Sequence, residues 1–329
     1  MPIPSTDPIV TIPMITPFDG TDRVDHEAIA TNVAHWIDTP LSGYILGTAS
    51  GEEAFLSEDE KLAIVRTVSG LLHGERFVVG GIDCPSASET LRRAEAFARA
   101  GAEMVRLRLP RHKEAVVPYF EEVLPRCPVP ALLMHQCNPE RFGFAGEAAA
   151  DPETIGQISA MDNVFGYVTD HDIRSETRVR QFVPENRRFF ICNGSLALTG
   201  AFIGCNGITT AFSNIWPEAL HEILTLGIAG EYEGARALQR SVQDIDAVML
   251  PYQAAGMKAA LNLMGLKGTQ PRRPMPPMPE TEVERLRVVM QRAGLLPPEE
   301  PSRERIQSAG PRPRVFCTRA RRLSTRPRL

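Results

Sequence analysis

The 329-residue sequence contains little lysine, few aromatic residues and no long apolar run. Only four of its 36 basic residues are lysines, and they are Lys61, Lys113, Lys258 and Lys267. A lysine amine acts as a nucleophile only where burial or a neighbouring charge leaves it partly neutral. Any chemistry that depends on a lysine is therefore confined to a few positions of this chain.

Other absences exclude several classes of protein. No segment approaches the roughly 18 consecutive apolar residues that a membrane span needs, so no membrane partner is expected. The N-terminal residues 1–5 have no basic region followed by an apolar stretch, which predicts no secretory signal. The six cysteines form no C-x-x-C pair and no disulfide framework. This pattern favours reduced thiols and a cytoplasmic location.

Charge is distributed unevenly along the chain. The formal net charge is −4, but residues 299–329 contain nine arginines and only three glutamates. The rest of the chain is therefore acidic, and a folded body of that sign is not expected to bind nucleic acid. Segment 297–329 is rich in proline and arginine and nearly free of large apolar residues, which predicts a disordered basic tail. The tail is either an arm that binds an anion or nucleic acid, or a dispensable extension, and the extension is favoured because terminal segments without buried residues are commonly unstructured.

Short apolar segments alternate with longer amphipathic segments over the first two-thirds of the chain. Continuous apolar segments of this kind are typical of parallel strands that are buried on both faces. Eight strands are predicted, at Ile9–Ile15, Gly43–Gly47, Phe77–Ile82, Met104–Leu109, Ala131–Met134, Val164–Val168, Phe189–Cys192 and Gly207–Thr210. Eight strands that are each followed by a helical pattern predict the α/β class and a (β/α)8 TIM barrel.

The helical segments define the expected domain organisation. Amphipathic periodicity predicts helices at His26–Trp36 and Glu58–Leu72, and Ser57 with Glu60 forms a capping box at the start of the second. Residues 217–296 are almost entirely helical in pattern, which is more helix than one barrel needs. We therefore expect a barrel over residues 1–216, a C-terminal helical extension over 217–296 and the tail over 297–329.

Five short motifs follow one another in a recognisable order. They are TPF at 16–18, GTASGE at 47–52, PERFG at 139–143, GCNGI at 204–208 with NIWP at 214–217, and KAAL at 258–261 with the proline-rich 274–279. In order and spacing they resemble the motifs of the dihydrodipicolinate synthase / N-acetylneuraminate lyase family of class I aldolases. The resemblance covers residues 9–296. It implies the barrel fold, an aldolase-like lyase activity on a small-molecule carboxylate and assembly into a homo-oligomer.

The sequence departs from this family at the residues that carry its chemistry. Members form a Schiff base between a 2-oxo acid and a lysine at the end of strand six, and the resemblance puts Val168 at that position. The family's tyrosine falls on Met134 when counted from the strand, or on Gln136 when counted back from the PERFG motif. A relay hydroxyl is replaced by Ala49. The resemblance therefore implies a divergent member without the Schiff-base lysine, for which Lys113 is the one spare candidate.

The resemblance also implies residues that bind substrate. Thr48, Ala49 and Ser50 lie in the loop after strand two, and Ser50 matches the residue that holds the substrate carboxylate. Arg141 matches a residue that binds a second carboxylate, and Ile208 lies in the motif of strand eight. The alternatives are that Ser50 caps a helix and that Arg141 simply faces solvent.

Polar residues that follow the strands are candidates for a replacement site, because TIM barrels place their chemistry at these strand ends. His135, Asp170 and His171 are the predicted catalytic residues. His135 has the side chain of a general base near neutral pH. The same residues could bind a divalent metal, although no H-x-H or H-E-x-x-H spacing is present. The alternative is that all three are ordinary polar residues on the barrel rim.

These observations leave three functional hypotheses. The first is a lyase or aldolase-like enzyme that acts on a small 2-oxo acid or related carboxylate by a non-lysine mechanism and needs no cofactor. The second is a catalytically inactive carboxylate-binding or regulatory member of the family. The third is a metal-dependent enzyme that uses the His and Asp residues of the rim. A fold is compatible with all three, so the pocket must discriminate between them.

Overall fold

A closed barrel of parallel strands forms the centre of the molecule. The computed structural model describes residues 8–83, 86–135, 150–169 and 173–298. The strands are β1 Ile9–Pro13, β2 Gly43–Leu46, β3 Phe77–Ile82, β4 Met104–Arg108, β5 Ala131–His135, β6 Val164–Thr169, β7 Arg188–Ile191 and β8 Gly207–Thr209. They pair in sequence order, and β8 pairs with β1 to close the barrel. The predicted (β/α)8 TIM barrel is therefore confirmed, with strand ends that shift by one or two residues.

Helices surround the barrel and continue past its last strand. Over the described residues they are α1 His26–Trp36, α2 Glu58–Leu72, α3 Ala87–Ala100, α4 Lys113–Val123, α5 Pro152–Ala160, α6 Ile173–Val179, α7 Ala197–Phe202, α8 Pro217–Ile228, α9 Tyr232–Met249, α10 Gln253–Leu263 and α11 Glu280–Arg292. The predicted bounds of α1 and α2 are confirmed. Ser57 accepts from the Glu60 N–H and Glu60 accepts from the Ser57 N–H, which confirms the capping box at α2.

Side chains along each strand point alternately into the barrel and toward the helices, as the two-residue period of a strand requires. The interior is filled by one apolar cluster, whose members are Ile9, Ile45, Val79, Met104, Leu132, Met134, Val168 and Phe190. The larger apolar core lies between the strands and the helices. This alternation decides which residues at the C-terminal ends of the strands can reach a pocket inside the barrel.

The C-terminal helices complete the unit. Helix α8 begins at Pro217 and packs against β1. Residues up to Leu296 form one compact unit that includes α9, α10 and α11. Of the tail predicted over residues 297–329, residues 299–329 lie outside the described part of the chain. Among the helices that the structure describes, none is both long enough and apolar enough to cross a membrane.

Candidate active site

A pocket of about 240 Å³ lies at the C-terminal end of the barrel. Strands and the loops that follow them form its floor and sides, and α9 and α10 contribute the remaining wall. The barrel contributes Pro13, Ile45, Thr48, Ala49, Ser50, Arg106, Met134, Val168, Cys192, Asn193, Gly194, Thr209, Thr210 and Ala211. The helical wall consists of Asp246, Leu250, Gln253, Ala254 and Met257. The position is the one at which TIM barrels carry their active sites.

The loop after β2 presents polar groups to this pocket. Its conformation depends on Gly51, because a Cβ at that position would lie 2.8 Å from the Met14 carbonyl oxygen. The Thr16 hydroxyl donates to the Gly51 carbonyl at 2.8 Å and holds the loop against the end of β1. Thr48 is buried, and its hydroxyl has no hydrogen-bond partner within the described part of the chain. A buried hydroxyl that lines a pocket without a partner is suited to bind a ligand oxygen.

A buried ion pair anchors the same loop to α10. Lys258 Nζ lies 2.6 Å from Glu52 Oε1, and both side chains are almost fully buried. The other oxygen of Glu52 accepts from the Arg272 N–H at 2.9 Å. Burial lowers the pKa of Lys258, although the Glu52 carboxylate opposes this effect. Lys258 also lies over the Phe18 ring at 4.3 Å, so its amine is enclosed on several sides and is absent from the pocket wall.

Apolar side chains occupy the part of the pocket that is formed by β5 and β6. Val168 on β6 and Met134 on β5 both point into the barrel and are paired neighbours in the sheet. Both line the pocket, and so does Ala49. No lysine is present among the pocket-lining residues that the structure describes.

Arg106 supplies a positive charge to the pocket. It lies on β4 opposite Gly81 of β3, and its Nη2 donates to Asp83 Oδ1 at 2.9 Å. Because Asp83 follows the end of β3, this contact directs the guanidinium toward the C-terminal mouth of the barrel. Arg106 is only 4% exposed, and its Nε has no hydrogen-bond partner among the described residues.

Asp83 is shared between two arginines. Its Oδ1 also lies 3.1 Å from Nε of Arg108, which is not among the residues that line the pocket. Burial alone would raise the pKa of Asp83, but the guanidinium groups of Arg106 and Arg108 outweigh this effect and hold the pKa below its ordinary value. Burial, with the nearby Asp83 carboxylate, raises the pKa of Glu53. Asp83 is therefore ionised at neutral pH, and it positions the arginine that faces the pocket.

Asp246 brings a carboxylate to the opposite wall. It lies on α9, is 3% exposed and lines the pocket. The Ser195 hydroxyl donates to Asp246 Oδ2 at 2.7 Å, and the Gln243 side chain donates to the Ser195 carbonyl at 3.2 Å. The loop after β7 and helix α9 therefore fix the position of this carboxylate. An aspartate held in this way can accept or donate a proton.

Two predicted site residues lie on the other face of the barrel wall. The His135 side chain is buried, and its Nδ1 lies 3.0 Å from the Tyr167 hydroxyl, which in turn donates to Glu176 of α6 at 3.3 Å. Strand alternation therefore turns the His135 ring toward the helices and away from the pocket, beside which Met134 lies. Ile208 packs in the core outside the barrel, and its neighbour Thr209 lines the pocket instead.

The remaining predicted residues lie in segments that the structure does not describe. Arg141 and Gln136 belong to residues 136–149, and Asp170 and His171 belong to residues 170–172. Their proposed roles stay predictions. Over the described ranges, no group of three or more His, Cys, Asp or Glu side chains is arranged to bind a metal ion.

Arg106 and Asp246 were not identified from the sequence, although the sequence contains a signal for each. On β4, Arg106 lies two residues after Met104, so the alternation that turns the Met104 side chain into the barrel also turns the Arg106 side chain inward. On α9, Asp246 lies four residues after Val242 and three before Met249, and both of these are buried. A carboxylate on an otherwise apolar helix face departs from the usual burial of apolar residues, and such a residue indicates a candidate functional position.

The sequence matches a known family over most of its length. The model of the Dihydrodipicolinate synthetase family matches residues 8–293. A 4-hydroxy-tetrahydrodipicolinate synthase of Archaeoglobus fulgidus is 24% identical over 291 residues, which cover 86% of this chain and 97% of that protein. An uncharacterized DapA-like lyase of Halobacterium salinarum is 28% identical, with 81% of this chain and 87% of that protein covered.

Solved structures show the same fold. A monomeric dihydrodipicolinate synthase variant superposes with a TM-score of 0.81 at 23% identity, covering 88% of this chain and 97% of that one. A chloride-inhibited dihydrodipicolinate synthase of Acinetobacter baumannii in complex with pyruvate superposes with a TM-score of 0.79 at 19% identity, covering 88% and 100% of the two chains. These likenesses agree with the barrel and its C-terminal helices.

Proposed function

The chain belongs to the dihydrodipicolinate synthetase family, and on that premise we propose that it is an aldolase-type lyase that works without a Schiff base. Its substrate is a small 2-oxo acid or a related carboxylate. The observation that carries this proposal is the pocket wall, where Val168 and Met134 lie side by side and no lysine accompanies them in the described lining. An aliphatic side chain and a thioether supply neither a nucleophile nor a proton donor.

The loop after β2 is the proposed carboxylate site. The buried Thr48 hydroxyl is available to donate a hydrogen bond, and Ser50 lines the pocket two residues further along. Hydrogen bonds to an ionised acceptor are stronger than those between neutral groups, so two hydroxyl groups can hold a carboxylate. Because one structural neighbour was solved with pyruvate, pyruvate is the first ligand to test here.

Asp246 is the proposed acid–base residue. It is the one carboxylate in the described pocket lining, and the Ser195 hydroxyl holds it at 2.7 Å. When a 4-hydroxy-2-oxo acid is cleaved, Asp246 accepts the proton of the 4-hydroxyl group, the C3–C4 bond breaks, and its electron pair forms the enolate of the 2-oxo acid. The other product is an aldehyde. Asp170 and His171 stay candidates for a second proton-transfer group.

A turnover assay tests this assignment. Purified protein is incubated with a panel of 4-hydroxy-2-oxo acids, and the released 2-oxo acid is quantified. Asp246→Asn should lower kcat by about 10²–10⁴-fold, the range typical of general acid–base groups. Asp244→Asn, on an exposed position of the same helix, is the matched control and should keep full activity. Equal activity of the Asp246→Asn variant and the wild type would contradict the role of Asp246.

The same assay separates the two alternatives. Binding of pyruvate without any turnover would favour an inactive carboxylate-binding or regulatory protein, for which the Thr48 hydroxyl, without a partner among the described residues, is equally suitable. Turnover that is lost after treatment with a chelator and restored by a divalent cation would favour the metal-dependent enzyme, with Asp170 or His171 as metal ligands. Activity that is unaffected by the chelator supports our proposal.

Assembly and location follow from the resemblance and from composition. We expect a homo-oligomer in the cytoplasm, with free thiols such as those of Cys127, Cys192 and Cys205. Light scattering on the purified chain measures the number of subunits directly. A monomer would be compatible with the fold, since one structural neighbour is described as a monomeric variant.

A further inference from the structure

Arg106 reaches the pocket because of its place in the barrel. Its neighbour in the sheet, Gly81, has no side chain to compete for the space. A Cβ at Gly81 would lie 2.5 Å from the Gly47 carbonyl oxygen, so the same glycine lets the loop after β2 approach β3 closely. Arg106 and Thr48 thereby become parts of one pocket lining.

The Arg106 guanidinium is held in place by one acceptor, and one of its donor groups has no partner among the described residues. Nη2 is bound to Asp83 at 2.9 Å, whereas Nε has no hydrogen-bond partner in the described part of the molecule. Asp83 also forms an ion pair with Arg108, so its single negative charge is shared by two guanidinium groups. A buried donor without a partner costs free energy, and an anionic oxygen in the pocket would remove that cost.

We infer that Arg106 is the electrophilic residue of this pocket and binds the oxyanion of the enolate. The inference rests on the proposed function. When the C3–C4 bond of the substrate breaks, its electron pair leaves a negative charge on the carbonyl oxygen of the 2-oxo acid. Arg106 donates hydrogen bonds to that oxygen while Thr48 and Ser50 hold the neighbouring carboxylate. The enolate carbon then takes back the proton that Asp246 accepted from the 4-hydroxyl group, so atoms and charge balance without any further reactant and Asp246 is ionised again.

In this proposal the Arg106 guanidinium takes the place of the protonated imine of the Schiff-base mechanism. In the Schiff-base mechanism the protonated imine accepts the electron pair, and Val168 makes that route impossible at its position. A guanidinium is always protonated and binds two adjacent oxygens in one plane. Fixed positive charge at the site where negative charge develops is one of the largest contributions to catalysis. A ligand with two adjacent ionised oxygen groups should therefore bind better than one with a single carboxylate.

Calorimetric titration with oxalate, pyruvate and propionate tests the inference. Oxalate resembles the planar enolate of pyruvate and carries both charges, and the titrations are run with EDTA to remove metals. For the wild type we expect oxalate to bind about 10–100-fold more tightly than pyruvate, since enzymes bind enolate-like ions more tightly than substrates. Arg106→Met should lose this preference.

Arg108→Met is the matched control, because it removes the same charge from the same strand and the same Asp83 without changing the pocket lining. It should keep the preference for oxalate. Arg106→Lys keeps a charge but not the planar donor group, so it should keep part of the preference and serves if Arg106→Met does not fold. An unchanged preference for oxalate in Arg106→Met, or in a folded Arg106→Lys variant where Arg106→Met does not fold, would overturn the inference.

The two proposals fail in different ways. If the wild type binds none of the three acids, the carboxylate pocket itself is refuted, and the role of Arg106 falls with it. If pyruvate binds but oxalate is not preferred, the proposed function survives and only the electrophilic role of Arg106 is refuted. If Arg106→Met and Arg108→Met lose the preference equally, a general effect of charge is responsible and the inference is wrong.

Discussion

Glu52 Oε1 and Lys258 Nζ lie 2.6 Å apart in the interior and join the loop after β2 to helix α10. The loop carries Thr48 and Ser50, and the helix carries Ala254 and Met257 of the pocket wall. One ion pair therefore connects two walls of the pocket. A Glu52 backbone with φ of 61° places the residue in the left-handed region, which the buried contacts of its side chain help to maintain.

Breaking this ion pair should destabilise the protein strongly. Lys258→Met leaves the buried Glu52 carboxylate without its cation, which costs about 3–5 kcal/mol. The double variant Glu52→Gln/Lys258→Met should lose less free energy of unfolding than the sum of the losses in the two single variants, because neither charge is then left unpaired. Urea denaturation measures the free energies of unfolding. Lys113→Met, at an exposed position, is the control and should change the free energy of unfolding by less than about 0.5 kcal/mol. An equally small effect of Lys258→Met would contradict the role of the Glu52–Lys258 ion pair.

A second ion pair predicts a dependence of stability on pH. Arg272 donates two hydrogen bonds to Glu60, at 2.9 and 2.7 Å, and these bonds hold the pKa of Glu60 below its ordinary value of 4.5. A depressed carboxyl pKa contributes stability above the unfolded pKa, and this contribution is lost as the pH falls through the folded pKa. Glu60→Gln should therefore cost about 1 kcal/mol at pH 7 and progressively less below about pH 4.5.

Unfolding free energies of the wild type and Glu60→Gln, measured from pH 7 to pH 3, give this difference directly. Glutamine can still accept from the Ser57 N–H, so the helix cap is preserved in the variant. Glu121→Gln, at an exposed position of α4, is the control and should give a small difference at every pH. A Glu60→Gln difference that stays constant over this range would contradict the linkage to Arg272.

Restoring a lysine in the pocket should restore Schiff-base formation. Val168 is buried and points into the barrel beside Met134, so a lysine at this position would be desolvated and partly neutral. Val168→Lys incubated with pyruvate and reduced with borohydride should give a covalent adduct on residue 168. Val288→Lys, at an exposed position of α11, is the control and should give none. No adduct on Val168→Lys would mean that the pocket does not bring pyruvate to β6.

Ser195 should act as a positioning residue for Asp246. Its hydroxyl donates to Asp246 at 2.7 Å, and removal of one such bond typically costs 0.5–1.5 kcal/mol, or about 2–10-fold in rate. Ser195→Ala should therefore lower kcat by about this factor and leave KM nearly unchanged. Ser195→Thr keeps the hydroxyl and should keep most of the activity. Equal losses in both variants would point to packing of the loop after β7 instead of the hydrogen bond.

Much of the fold could be predicted because its signals are local. The strand Phe77–Ile82 and the helix Glu58–Leu72 have the predicted bounds, since each begins and ends at a clear change of periodicity or a cap. Val168 and Met134 both line the pocket. The two-residue period of β5 and β6 already separates inward from outward side chains.

His135 was assigned to the pocket although it follows Met134 directly, and the alternation of the strand turns its ring toward Tyr167. The rest of the site depends on contacts that are distant in sequence. Asp246 reaches the pocket because α9 packs against the loop that contains Ser195, 51 residues earlier. No local pattern specifies that docking, and the sequence alone identified neither Asp246 nor Arg106 as a site residue.

Borohydride trapping of the wild-type protein tests the central claim most directly. The protein is incubated with pyruvate and related 2-oxo acids, reduced, and measured by intact mass, with Val168→Lys treated in parallel as the positive control. We predict no covalent adduct on the wild type and one adduct on the variant. An adduct on the wild type that peptide mapping assigns to Lys61, Lys113, Lys258 or Lys267 would contradict the account, because it would show a class I aldolase with a relocated lysine.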